Sequence, residues 1–191
     1  MTRSHVFSLL FFMFAITCYG IIEWRNSNSN VEENIDQLVS PDFIAESLSS
    51  ETFDSEGKLS YMINAGRMEH YNKLYNGTSV TRFEYPQYTL FPKNSVSPWK
   101  ISANEGTLYN SNRVKLQNKV LLVSTDETSL IREIHGKYLE LDLITNIISS
   151  EDNIEIIGDS FVIYGSGLIV DLNTKQLTLT NHEKTIYQQT K

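Results

Sequence analysis

The chain has 191 residues, of which 40% are hydrophobic and 11% aromatic, so it suits one domain with an appendage and is neither wholly disordered nor collagen-like. A formal charge of −7 argues against a protein that binds nucleic acid by neutralising phosphates. One cysteine excludes an intramolecular disulfide and a Cys-rich zinc module.

Residues Val6 to Ile22 carry no charge. As a helix this run spans about 26 Å, near the short limit for a bilayer core of roughly 30 Å. Arg3 and the terminal amine before it favour a cytoplasmic N-terminus, and Trp24 suits the opposite interface. The competing reading is a cleaved signal peptide, for which Cys18 and Gly20 make a poor cleavage site. The preferred reading is an uncleaved anchor over residues 1–25, with the helix at about 6–22.

Residues 26–50 hold five acids and no Lys or Arg, a composition that resists packing and is read as a polar tether. From residue 51 on there are 14 basic and 17 acidic residues, so the acidity belongs largely to the tether.

Beyond residue 50 the apolar residues recur with period two. Tyr61, Ile63 and Ala65 alternate with Ser60, Met62, Asn64 and Gly66, and Trp99, Ile101 and Ala103 alternate with Lys100, Ser102 and Asn104. Val114, Leu116, Val120 and Leu122 share a parity, followed by Ile154, Ile156, Phe161, Ile163, Leu177 and Leu179. This is the pattern of strands with one buried and one wet face. Turn signals at Asp54–Gly57, Asn76-Gly77, Asn110–Asn112, Gly165–Gly167 and Asn173-Thr174 separate the runs. No stretch after residue 50 keeps a helical period, so the domain at 51–180 is predicted to be all-β, a sandwich, barrel or jelly roll, with a polar tail at 181–191. A degenerate repeat runs through it. Ile63-x-Ala65 followed by Tyr71-Asn72 recurs 38 residues later as Ile101-x-Ala103 followed by Tyr109-Asn110. Leu139-x-x-Asp142-Leu143-x-Thr145 recurs 29 residues later as Leu168-x-x-Asp171-Leu172-x-Thr174.

No catalytic constellation stands out. The four histidines are far apart and lack partners at metal-ligand spacing, and no phosphate loop, dinucleotide fingerprint or nucleophile elbow is present. His70 and His135 are expected on the wet face. Neither an enzyme nor a bound cofactor or metal is expected. The apolar face offers the candidate site instead. Its inward set is Tyr61, Ile63, Ala65, Phe83, Tyr88, Leu90, Trp99, Ile101, Ala103, Leu116, Leu122, Leu139, Leu141, Ile156, Phe161, Ile163 and Val170. Those residues either fill an ordinary core or line a slot for an apolar ligand. The residues alone favour an ordinary core, and a membrane anchor beside a source of lipid shifts the balance somewhat toward the slot.

Four stretches carry a family resemblance: Ser55-Glu56-Gly57-Lys58-Leu59-Ser60-Tyr61, Pro98-Trp99-Lys100-Ile101-Ser102-Ala103, Gly158-Asp159-Ser160-Phe161 and Gly165-Ser166-Gly167-Leu168. With the anchor, the tether and the all-β domain, the chain resembles the LptC family of lipopolysaccharide export proteins over most of residues 50–180. The resemblance implies an antiparallel β-jelly roll, held in the periplasm by one helix in the bacterial inner membrane, whose groove accepts acyl chains of lipopolysaccharide. It also implies partners: the ABC transporter formed by LptF, LptG and the ATPase LptB, and LptA. The edge toward LptA would lie at Leu168, Val170, Leu172, Leu177 and Leu179. A scaffold with a filled core and no lipid site, and a carrier of another lipid, remain as alternatives.

Overall fold

The computed structural model describes residues 40–74, 78–93 and 97–187. These residues form eleven strands and no helix: β1 (Phe43–Phe53), β2 (Leu59–Leu74), β3 (Thr78–Glu84), β4 (Gln87–Leu90), β5 (Trp99–Ser102), β6 (Glu105–Tyr109), β7 (Arg113–Ser124), β8 (Ile131–Asp142), β9 (Ile147–Gly158), β10 (Phe161–Asp171) and β11 (Gln176–Tyr187). All pairings are antiparallel, with strand order β11-β10-β9-β8-β7-β5-β4-β2-β3-β6, β6 returning to β7 and β1 flanking β2. The fold is all-β and consistent with the expected jelly roll. Among the described residues no helix is long and apolar enough to cross a membrane, and the expected anchor at 6–22 lies outside them.

The register shows a simpler plan beneath eleven labels. β3 and β4 pair with β2 in one continuous register, Arg67↔Glu84 leading to Tyr61↔Leu90. They act as one strand bent at Tyr85-Pro86, and β5 with β6 act as one strand bent at Ala103-Asn104. The molecule is therefore a meander of nine long strands, most of them carrying a bend, a bulge or a positive-φ residue near the middle. The interruptions line up into a seam across the sheet: Ser47 (φ 55), Gly66, Tyr85 (φ 52), Asn104, Asn118 and Lys119 (φ 62 and 55), the slip after Gly136, and Gly167 (φ 69). Backbone bonds tie neighbouring rows along it, Tyr85 N–H to Asn104 O at 2.8 Å and Asn104 N–H to Asn118 O at 2.9 Å. Bulges bend the strands that carry them. Here the irregularities of neighbouring strands lie at one level, so the sheet folds over along the seam.

One contact shows how far it folds. Asp126 lies just beyond the C-terminal end of β7, and Lys175 lies at the β10–β11 turn, beside the opposite strand tips. In a flat sheet a twelve-residue strand would hold those tips about 40 Å apart. Lys175 Nζ instead meets Asp126 Oδ2 at 2.7 Å. The two halves of the sheet thus face each other across an apolar interior, and the strand tips meet opposite the seam.

Three boundaries differ from the sequence reading. Phe43–Ser50, assigned to the tether, form the first part of β1, and residues 181–187, assigned to the tail, complete β11. Gly165–Gly167, a turn or bulge signal expected to separate two strands, sit inside β10 as a bulge, where the pairing with β9 slips between Ser166 and Leu168. The Asn76-Gly77 turn lies outside the described residues.

Candidate functional site

The interior is built from cross-strand rows of inward side chains. On one side of the seam Ile63, Tyr88, Ile101, Leu122, Ile134, Ile156 and Ile163 stand opposite one another in succession, from β2 to β10. Tyr61, Leu90 and Trp99 form the next row toward the strand tips. On the other side Met68, Phe83, Gly106, Leu116 and Leu139 form one row. Leu108, Val114, Leu141, Ile148, Val170 and Leu177 form another. Opposed apolar pairs on one face are the unit of sheet stabilisation. Here the rows also join into one apolar cluster.

The structure brings together nearly all the residues expected to face inward. Ile63, Ala65, Phe83, Tyr88, Leu90, Trp99, Ile101, Ala103, Leu116, Leu122, Leu139, Leu141, Ile156 and Val170 are buried in that cluster. Tyr61 and Ile163 pack half-buried against it. Phe161 stands apart, half-exposed at the strand tips, and its ring lies over Gly158 so closely that a Cβ there would meet it at 2.3 Å. Val114, Val120, Ile134, Leu143, Ile148, Ile154, Leu168 and Leu172 are buried members of the cluster that the inward set omits. In β8 the apolar residues Ile131 and Ile134 are three apart, which breaks the period-two signal. The pairing of Leu122 with Ile134 and of Ile134 with Ile156 is what reveals the inward face.

Two polar side chains of the interior are satisfied. Ser150 donates to Tyr138 O at 2.7 Å, and Thr81 Oγ1 meets His70 Nδ1 at 2.8 Å. His70, expected on the wet face, shares the parity of inward Met68 and is only partly exposed. The third polar group is the Tyr88 hydroxyl, which lies within the cluster without a hydrogen-bond partner. Burial, with Tyr61 nearby, pushes this phenol well above its ordinary pKa.

The boundaries of the interior differ. At the tips nearest Asp142, the repeated Asp-Leu-x-Thr segments form stacked turns. Asp142 Oδ1 accepts from Ile144 N–H and Thr145 N–H at 2.9 Å, and Asp171 Oδ1 accepts from Asn173 N–H at 2.9 Å. Asn146 Nδ2 reaches Asn173 Oδ1, Leu172 N–H donates to Asn146 O, and Leu143 and Leu172 plug the interior beneath. The Thr145 N–H is the main cause of the lowered Asp142 pKa. Across from them the Asp126–Lys175 pair latches tip to tip. Lys175, then the Thr128 hydroxyl, holds the Asp126 carboxyl far below the usual carboxylate range. Arg132 donates to Asp126 O at 3.1 Å and pairs with Asp159.

At each end of the stack, among the described residues, a strand has one pairing edge unfilled. β1 is paired only to β2, and β11 only to β10. Leu177 and Leu179 lie on β11, the terminal strand. Leu168 and Val170 do not lie at the edge: they sit one strand in, on β10, paired to both β9 and β11. Leu172 is buried in the turn between β10 and β11. Among the described residues no group of three or more His, Cys, Asp or Glu side chains is placed to hold a metal ion.

Comparison with known proteins places the chain in a family. The family model described as "Lipopolysaccharide-assembly, LptC-related" matches residues 8–188. A relative from Haemophilus influenzae, the "Lipopolysaccharide export system protein LptC", is 26% identical, covering 89% of this chain and 90% of its own. Proteins of the same description from Escherichia coli K12 and Shigella flexneri are also 26% identical, each covering 78% of this chain and 75% of its own length. With a match across nearly its whole length, the chain belongs to the LptC-related family of lipopolysaccharide-assembly proteins.

Proposed function

We propose that this chain is a non-enzymatic carrier in lipopolysaccharide transport, anchored in the bacterial inner membrane by Val6–Ile22 with its β domain in the periplasm. Acyl chains enter between the two half-sheets. They arrive from the ABC transporter of LptF, LptG and LptB and leave toward LptA past β11. The observation that carries this reading is the continuity of the apolar rows. One runs from β2 to β10 with the Tyr88 hydroxyl as its one polar group, between two strands that, among the described residues, each keep a free pairing edge. A free edge offers backbone N–H and C=O groups to a partner strand, which would carry the rows into the next domain. Burying hydrocarbon stabilises by about 0.8 kcal/mol per CH₂, so release requires work from the transporter's ATP hydrolysis.

The second reading, a scaffold with a filled core, is favoured by one observation: Leu90, Val114, Leu116, Leu122 and Ile134 are wholly buried by the protein itself. The carrier reading therefore needs the halves to part. A photo-crosslinker at half-buried, inward Tyr61 or Ile163 should capture lipopolysaccharide in cells, and one at outward Lys100 should not. Equal capture from both faces, or none from either, would leave the scaffold.

A further inference from the structure

Tyr88, on β4, stands in the longest inward row, opposite Ile63 on one side and Ile101 on the other. The Phe83 ring meets it edge-on at 6.5 Å from the other half-sheet, and the Tyr61 ring lies tilted at 6.3 Å. Only 1% of Tyr88 is exposed. Among the described residues its hydroxyl is the one buried side-chain nitrogen or oxygen without a hydrogen-bond partner. An unpaired hydroxyl in apolar surroundings bears its full desolvation cost. Phenylalanine would fill the same space without it, among the same Ile63, Ile101, Phe83 and Tyr61 side chains. The hydroxyl therefore adds nothing to the closed domain that a phenyl ring would not supply.

We propose that the Tyr88 hydroxyl is a hydrogen-bonding post inside the acyl-binding interior, selecting lipids that bring an oxygen with the chain, either a hydroxyl along it or the carbonyl of its linkage. This rests on the carrier reading above. The Tyr61–Leu90–Trp99 row separates Tyr88 from the strand tips, so an oxygen must travel past one apolar layer to reach it. A plain saturated chain placed there leaves the hydroxyl unpaired. A chain that carries an oxygen satisfies it, and loses its own water without loss of a hydrogen bond.

The test uses the full-length chain in phosphatidylcholine nanodiscs, with binding of radiolabelled tetradecanoic acid and 3-hydroxytetradecanoic acid corrected for empty discs. Wild type should retain the hydroxy acid about tenfold more tightly, and Tyr88→Phe should abolish that preference while leaving tetradecanoic acid unchanged. A tenfold loss for both acids in Tyr88→Phe would support the post with the head-group oxygen as its partner. The empty variant should melt at or above the wild-type temperature. Two acids bound by wild type and unaffected by Tyr88→Phe would overturn the post and leave the carrier reading standing. A lower melting temperature with unchanged binding would overturn it equally, making the hydroxyl structural. Failure of wild type to bind either acid would remove the carrier reading and the post with it.

Discussion

Replacing Gly165 with alanine should loosen the last strand and nothing else. A Cβ at Gly165 falls 2.3 Å from Asn181 O and 2.6 Å from Leu179 Cδ2. Ordinary contact begins near 3.4 Å, and the nearest obstacle is backbone, so β11 must retreat by about 1 Å. That displacement carries N–H···O distances beyond hydrogen-bonding range at Gly165↔His182 and Ser166↔Asn181. Losing two or three such bonds, at about 1 kcal/mol each, lowers the local opening free energy by about 2–3 kcal/mol. Hydrogen exchange of the 176–187 amides should then quicken by about 30- to 150-fold. β11 is terminal, so amides of β7 and β8 should keep their protection. Gly66→Ala is the control, because its Cβ meets nothing closer than 3.6 Å, and it should change neither region. Exchange in β11 within twofold of wild type, or equal acceleration throughout the sheet, would refute the steric argument.

Three further outcomes follow from the same geometry. Leu122→Ala removes a fully buried side chain from the longest row and should cost about 3 kcal/mol, lowering the melting temperature by roughly 6–12 °C. Asp142→Ala frees the N–H groups of Ile144 and Thr145 and should cost about 1 kcal/mol at neutral pH. The folded-state pKa of Asp142 is lowered, so its contribution is complete above the unfolded value. The gap between variant and wild-type melting should therefore close as pH falls below about 4. Lys175→Met removes the latch, and spin labels at positions 127 and 174 should show a broader, longer distance distribution. Wild type should approach that distribution in acid, because the Asp126 pKa is likewise lowered and the pair is lost as pH falls through it. Unchanged distances in Lys175→Met would show that core packing alone holds the tips together.

The strands of the middle were legible because each has an inward and an outward face. Trp99, Ile101, Leu116 and Leu122 advertise this with strict alternation, and all four are buried. The terminal strands were not. β1 and β11 have a neighbour on one edge only, and most of their residues are exposed on both faces, so Phe43–Ser50 and residues 181–187 show no alternation to read. The seam was hidden for another reason. In several rows the inward parity changes as the strand crosses it, from Ile63 to Met68, from Phe83 to Tyr88, from Ile134 to Leu139 and from Ile163 to Leu168. A period-two reading treats each change as the end of a strand. The repeated Asp-Leu-x-Thr segments were visible, and their 29-residue spacing is the length of two strands and their turns. The latch was not visible, since Asp126 and Lys175 meet across 49 residues with no local signature.

The seam has a mechanical consequence. Every long strand crosses it, so the interstrand hydrogen bonds run parallel to the fold line and none bridges the two covers. The molecule can gape like a book on its spine while each ladder bond stays made. What resists is the apolar packing between the pages and, at the fore-edge, the clasp of Asp126 and Lys175. A strand added beside β11 would cross the same spine and acquire the same opening angle. Neighbours joined edge to edge would thus share a single aperture, and widening one would widen the next.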